Sequence, residues 1–333
     1  MDTWILFRLT QGAAFSTDTS NASRTFLLDI GTGAWDEEQL GRFGLQRSWL
    51  AEVRATVDAF GVIGRGARFA GVPVACLVAD QQASLYGHWG RDAATGTKCT
   101  LGTGAFLLAG GVRGASEGAA PGHALLTTVL ARFGRAPPLL AREAPIVCAG
   151  SLTTWLRDKL RVIADVRELD AILEASVHSP ETDAVCFVPH LSGCLFPLWD
   201  AGARGSFHNL ALDTDRDALA VAVLEGVAFS VRLALDALGR PTSTAAVLSV
   251  DGGMSGNGAF VRLLAHACHV PVRVLDCAHA TALGAAVLAS NFSVQPRGAH
   301  ALHQPEDTAW VARLARKYHQ WLGHAVPGTR PLR

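Results

Sequence analysis

The sequence has no CxxC pair, no net charge, no long apolar run and no signal-like start, and each of these narrows what is expected of the protein. Its seven cysteines, at 76, 99, 148, 186, 194, 268 and 277, form no CxxC pair and fall inside apolar strings. An odd, dispersed set of that kind reads as reduced core cysteine, which places the chain in the cytoplasm. Lysine plus arginine balances aspartate plus glutamate at 29 each, with the signs interspersed. Neither nucleic acid nor an acidic membrane surface is therefore an expected partner. No apolar run approaches the ~18 residues of a membrane span. The N-terminus lacks the basic-then-apolar layout of a signal peptide. The histidines show no HxxxH or HxxC spacing, so no protein-held metal is expected. No repeat and no low-complexity tract is present.

The chain also opens without a leading strand. Residues 1–10 read as a helix already under way, with no cap before it. A second helix is expected near 37–45 and a buried strand at 72–78, Val-Pro-Val-Ala-Cys-Leu-Val. One strand and two helices do not close an α/β layer. Past residue 90 the pattern becomes self-sufficient. Strands are expected at 98–101 and 105–110 around Gly102-Thr103-Gly104, then at 125–131 and 184–189. The run Ile146-Val147-Cys148 leads into a helix over 152–163. The longest amphipathic helix covers 215–238, with Leu219, Val223, Val227, Val231 and Leu235 on one stripe. Strands at 247–250 and 272–275 alternate with helices at 256–269, 282–290 and 307–322. Pro137-Pro138 marks the expected mobile loop. With 333 residues there is enough chain for a full core.

Four motifs carry chemistry. Val78-Ala79-Asp80-Gln81-Gln82 puts a carboxylate at the C-terminal mouth of a strand, where α/β folds bind ligands. Asp80 is there a candidate base for an alcohol nucleophile, with Gln81 offering its amide to a substrate hydroxyl. The plainer alternative is an Asp that caps a helix starting at Gln81. In Leu101-Gly102-Thr103-Gly104, the glycines admit close backbone approach, and Thr103 can donate to phosphate oxygens. An ordinary hairpin turn has the same composition. Cys148-Ala149-Gly150-Ser151 precedes Trp155-Leu156-Arg157-Asp158, so Gly150 and Ser151 can face an anion at a helix start. Asp251-Gly252-Gly253 with Asn257 lets a flat purine pack on backbone while Asn257 reads its edge or the ribose.

These motifs, in this order, resemble the FGGY carbohydrate kinases, most closely the glycerol kinases. The stretches Asp2-Thr3-Trp4 to Arg24, Ala79-Asp80-Gln81-Gln82 with Leu85-Tyr86-Gly87, Pro189-His190, Trp199-Asp200 and Thr281-Ala282-Leu283-Gly284 carry the likeness across essentially the whole chain. The resemblance implies an α/β, actin-like ATPase (ribonuclease H-like) fold. Residues 1–88 would be the end of an N-terminal domain, and 89–333 a complete C-terminal nucleotide-binding domain. It implies ATP and Mg²⁺ as cofactors and glycerol or a related polyol as acceptor. Asp80 would be the catalytic base, with Asp80, Gln81 and Phe106 around the acceptor. Thr103, Gly150, Thr154, Gly253 and Asn257 would hold the nucleotide; Thr154 stands where the family often has Gln. Arg204 reads as a loop anchor, and Asn209 replaces the usual Gly of a turn.

Asp29-Ile30-Gly31-Thr32-Gly33 spells the family's first phosphate hairpin, but Ala34-Trp35-Asp36-Glu37-Glu38 leads into a helix. It is read as a decoy, since a motif needs its structural context. Without that hairpin and the family's Arg-Glu pair, the chain is expected to be a poor kinase, with residues 1–88 loosely held. The alternatives are a non-catalytic nucleotide-binding module or half of a split sugar kinase, completed by an upstream-encoded N-terminal half or paired in a homo-oligomer.

Overall fold

A computed structural model describes residues 1–112, 125–177, 184–239, 247–277, 279–296 and 300–326. The chain starts with helix α1 (Asp2–Leu9), strand β1 (Ser16–Asp18) and helix α2 (Thr19–Ala22). Strands β2 (Leu28–Asp29) and β3 (Ala34–Trp35), helix α3 (Glu37–Phe43) and strand β4 (Glu52–Arg54) follow. Helix α3 starts where Asp36 accepts from the amides of Glu38 and Gln39, and it ends on Gly44 at φ +65°. The fixed point of this segment is the buried carboxylate of Asp18. It accepts from Ser20, Asn21 and, 38 residues on, the Thr56 hydroxyl at 2.9 Å. Ser20 in turn accepts the amide of Ala79 at 2.9 Å. A side-chain knot thus holds the entry to the next helix, α4 (Asp80–Trp89).

Residues 72–78 are not the buried strand that their composition predicts. They run extended beside 57–63, joined by Phe60 N to Val74 O (2.9 Å) and Val74 N to Gly61 O (2.8 Å). None of the seven is buried, and Val72 is 48% exposed. Pro73 lacks an amide proton, and only one flank is paired, so no sheet forms there. The segment before α4 is nonetheless anchored. Arg24 bridges to the buried Glu143 at 2.8 Å, and the Thr56 hydroxyl accepts from the amide of Arg132 at 3.0 Å.

Strands β5 (Thr97–Leu101), β6 (Ala105–Val112), β7 (Leu126–Ala131) and β8 (Leu139–Ile146) come next. Helix α5 (Gly150–Trp155) continues into a wide helical turn over Leu156–Leu160, and helix α6 (Glu168–Ser176) follows. Strands β9 (Cys186–Val188) and β10 (Ser206–His208) form their own antiparallel pair. Then come helix α7 (Arg216–Ala237), strand β11 (Leu248–Asp251), helix α8 (Gly258–Cys268), strand β12 (Val272–Leu275), helix α9 (Ala280–Ala289), strand β13 (His300–His303) and helix α10 (Thr308–Ala325). The main sheet has the order β13-β12-β11-β5-β6-β8-β7. Strands β5, β11 and β12 are parallel, and the others run antiparallel to their neighbours.

Composition hides β8, because Arg142, Glu143 and Pro145 interrupt its apolar pattern. Arg142 and Glu143 are nonetheless buried. The last β7 partner of β8 is Glu143, so Pro145 lies past the end of β7, where its missing amide proton costs no ladder bond. Helix α7 starts on the Asp215 cap and is buried nearly all round, well beyond the expected stripe. By length and composition it could cross a membrane, yet here it is the core helix, with most of its apolar window inside the protein. On the opposite face of the sheet, α4 and α9 touch backbone to backbone. A Cβ on Gly87 would lie 2.1 Å from Ala280 O, and one on Gly284 would lie 1.7 Å from Ala83 O. Helix α4 therefore crosses the expected boundary at residue 88 and packs on α9.

Candidate active-site cleft

Three turns meet at one end of the sheet. Thr103, at the tip of the β5–β6 turn, is exposed, while its carbonyl accepts the amides of Ala149 and Ser151, both at 3.0 Å. Gly102 O accepts the amide of Gly150 at 2.9 Å. Those two amides, expected to face an anion, are thus spent on clasping the turns together. Gly150 contributes instead by its missing side chain, since a Cβ there would sit 2.5 Å from Gly102 O. The third turn passes through Gly252 at φ +91°, with Leu101 O 2.5 Å from where a Cβ would be. Gly252→Val is expected to cost on the order of 3 kcal/mol, combining left-handed strain with a backbone clash. Gly253→Ala, which meets nothing within 4 Å, should stay within about 1 kcal/mol, and urea unfolding of the two variants measures both effects.

Behind the clasp lies a cleft of about 560 Å³. Thr103, Gly150, Thr154, Gly253 and Asn257, the five expected nucleotide residues, all line it, together with Leu101, Met254, Leu224 and Phe260. An apolar slot with a few polar groups suits a flat heterocycle. Asn257 spends its side-chain oxygen as the cap of α8, accepting from Phe260 N at 2.6 Å, so its amide NH₂ is the group left for a ligand. Thr154 is exposed at the rim.

Asp80, Gln81 and Phe106 do not line that cleft. Asp80 is the first residue of α4 and is exposed; the cap position is Ala79, with no side-chain cap bond. Among the described residues its carboxylate accepts only the adjacent amide of Gln81, at 2.7 Å, which is not the capping geometry of the plainer alternative. Gln81 lies over Lys98, whose Nζ donates to Gln81 Oε1 at 2.5 Å and to Thr100 Oγ1 at 2.7 Å. Phe106 pairs across the sheet with Thr100, so Lys98, Thr100 and Phe106 share one face. Leu101 packs into the core on the other face, with Met254 and Phe260. The acceptor and nucleotide candidates thus lie on opposite faces of the sheet, and the Thr103 turn is at the end they share.

Beneath them runs a buried polar chain that sequence reasoning missed. Asp251, at the end of β11, accepts from Ser84 Oγ and pairs with His88 Nε2, each at 3.1 Å. His88 Nδ1 meets Ser249 Oγ at 2.5 Å, and Arg273 donates to the same hydroxyl at 3.4 Å. A neutral His88 with its proton on Nε2 satisfies every partner. Burial pushes the Asp251 carboxyl up, but the His88 bond and the Lys98 charge outweigh it and leave it at about 2. Burial pushes Lys98 down, opposed first by Asp251 and further on by Asp80. The one available signal was a lysine inside an apolar strand, two residues before Thr100.

Burial also lowers His88 from its ordinary 6.5. The unfolded chain therefore takes up a proton below pH 6.5 that the folded chain refuses. Stability should hold above pH 6.5 and fall as pH drops below it, by at most about 1.4 kcal/mol per pH unit for each such histidine. Urea midpoints at pH 7.5 and 5.5 check this; a smaller difference in His88→Asn is the expected signature.

Asp29 is held elsewhere. Its carboxylate accepts Gly31 N at 2.8 Å and the Thr32 hydroxyl at 2.9 Å, and those bonds hold its carboxyl below the usual range. The turn does have a second strand, since β2 and β3 flank it, contrary to the expectation of a helix directly behind it. It lines neither this cleft nor the neighbouring one at Asp251. Arg204 donates to the carbonyls of Ala201 and Ala203, as a loop anchor, and Asn209 takes φ +62°. Among the described residues no group of three or more His, Cys, Asp or Glu could hold a metal ion. A Mg²⁺ carried by phosphates needs only one or two carboxylates, and among the described residues Asp251 keeps one buried oxygen without a hydrogen-bond partner.

A mixed sheet with glycine turns clasped at one end and a cleft behind them defines an actin-like ATPase fold. The chain belongs to the FGGY family of carbohydrate kinases: residues 1–87 match the model of its N-terminal domain and residues 97–291 that of its C-terminal domain. It is 36% identical to the glycerol kinase of Rippkaea orientalis, over 86% of this chain and 56% of that one. Against the glycerol kinase of Pseudarthrobacter chlorophenolicus it is 36% identical over 95% and 65%. The chain spans well under two thirds of the length of the first of these relatives. Glycerol kinase from Plasmodium falciparum, solved with ADP, superposes with a TM-score of 0.81 at 30% identity, covering 98% of this chain and 66% of that one. A xylulose kinase from Lactobacillus acidophilus shares the fold, with a TM-score of 0.82 at 19% identity over 98% and 67%.

Proposed function

We propose that the chain is the nucleotide-holding and base-bearing part of an ATP-dependent polyol kinase that converts glycerol to glycerol 3-phosphate in the cytoplasm. The observation that carries this reading is the meeting of Thr103, Gly150, Thr154, Gly253 and Asn257 on one cleft. Adenosine would lie against Gly253, within reach of the Asn257 NH₂, with the phosphates running toward the Thr103 hydroxyl. The acceptor hydroxyl would give its proton to Asp80 and accept from Gln81, with its carbons against Phe106. Bound Mg²⁺ would neutralise phosphate charge beside Asp80 and Asp251.

Turnover by these 333 residues alone should be weak. The only Asp-x-Gly-Thr turn keeps its carboxylate for itself, and phosphoryl transfer depends on every positioning group. That same observation favours the second reading, a nucleotide-binding module active only with a complementary half or a second copy. Two measurements on the purified chain test both: ATP-dependent glycerol 3-phosphate formation, and the melting temperature with and without ADP. Product supports the kinase. An ADP shift without product supports the module, and neither signal would sink both.

A further inference from the structure

Lys98 is fully buried, in the middle of a sheet strand that is otherwise apolar or hydroxylic. An ammonium in such a place is tolerated only when its protons are engaged, and two bonds go to Gln81 Oε1 and Thr100 Oγ1. An ammonium has three donors and no acceptor. Gln81 must therefore turn its oxygen to Lys98, and its NH₂ is left to face away from the core. Gln81 is half-buried and starts α4 beside Asp80, whose carboxylate is exposed and bonds only the neighbouring amide. The two adjacent residues thus present one donor and one acceptor side by side.

We propose that Lys98 is a positioning residue that sets the polarity of the acceptor site, locking the Gln81 amide so that Gln81 donates and Asp80 accepts. A hydroxyl satisfies both at once, because it accepts from Gln81 while pointing its proton at Asp80. A carboxylate would meet Asp80 with like charge, and an ammonium would waste the Gln81 donor. Lys98 in this way selects an alcohol without touching it. The role of the site rests on the polyol-kinase reading; the lock itself does not.

The lock is tested on the full chain labelled with ¹⁵N-glutamine, without any turnover. The Gln81 side-chain NH₂ pair is identified by its absence in Gln81→Glu. In Lys98→Met it is expected to move toward free-glutamine positions and exchange faster with water, while the other glutamine signals stay. A Gln81 pair that does not move would overturn the proposal. If Lys98→Met fails to fold, the reverse view on ¹⁵N-lysine-labelled chain decides: the Lys98 Nζ signal should lose its protection in Gln81→Ala, and unchanged protection overturns the lock. The second arm is kinetic. Lys98→Met should raise KM for glycerol about tenfold, with kcat changed less than about threefold. Lys98→Met/Gln81→Ala should be no worse than Gln81→Ala alone, and additive losses would contradict action through Gln81. Wild-type chain without turnover counts against the kinase reading only, and the spectra then decide the lock.

Discussion

Asp80→Asn is expected to lower ATP-dependent glycerol phosphorylation by about 10²–10⁴-fold while leaving the ADP-induced rise in melting temperature intact. The substitution keeps shape and the contact to Gln81 N but removes the carboxylate proposed to take the hydroxyl proton. Because Asp80 is exposed and caps nothing else, folding stability should change by no more than about 0.5 kcal/mol. A coupled assay for ADP release, run beside a thermal shift titration, reads both quantities. Loss of the ADP shift would make Asp80 a nucleotide ligand, and unchanged turnover would remove it from the chemistry altogether.

The second large effect is on stability. Lys317 on α10 and Glu225 on α7 form an ion pair at 2.5 Å with side chains 3% and 2% exposed. Around it, Trp321 donates to Phe187 O at 2.8 Å, and Gly226 lets β9 come close enough that a Cβ would meet Phe187 O at 2.5 Å. Glu225→Ala should therefore cost about 3–5 kcal/mol, since it removes the carboxylate that faces a buried ammonium. Glu225→Leu combined with Lys317→Met should recover most of that loss or exceed the parent, because neither charge is then left unpaired. Urea unfolding at pH 7.5 compares both variants with the parent; a single-variant cost under about 1 kcal/mol would mean that the ammonium finds another partner.

Much of this was legible in the chain because the turn chemistry is local. Gly102-Thr103-Gly104, Gly150 and Gly252-Gly253 announce themselves as turns, and the strands and helices beside them keep clean periods. Helix α7 was legible for the same reason, though not its burial on every side, which follows from β9 and α10 packing behind it. Strand β8 was not, since Arg142 and Glu143 look like surface residues until Arg24, 119 residues away in sequence, meets Glu143. Residues 72–78 failed in the opposite sense: an apolar string without neighbours on both sides stays a half-exposed extended segment. Among the candidate site residues, local composition pointed to the turn and base positions. The chain Ser84, Asp251, His88 and Ser249 joins four positions up to 167 residues apart, and no local pattern encodes such a meeting.

The contact between α4 and α9 has a mechanical meaning. With Gly87 and Gly284 each facing a carbonyl of the other helix, a slide by one residue would drive a methyl group into backbone. Shear along that seam is closed off, so Asp80 and the strands bearing the Gly252 turn travel as one body. Any hinge must lie elsewhere, and the spacing between Asp80 and the Gly252 turn is then constant.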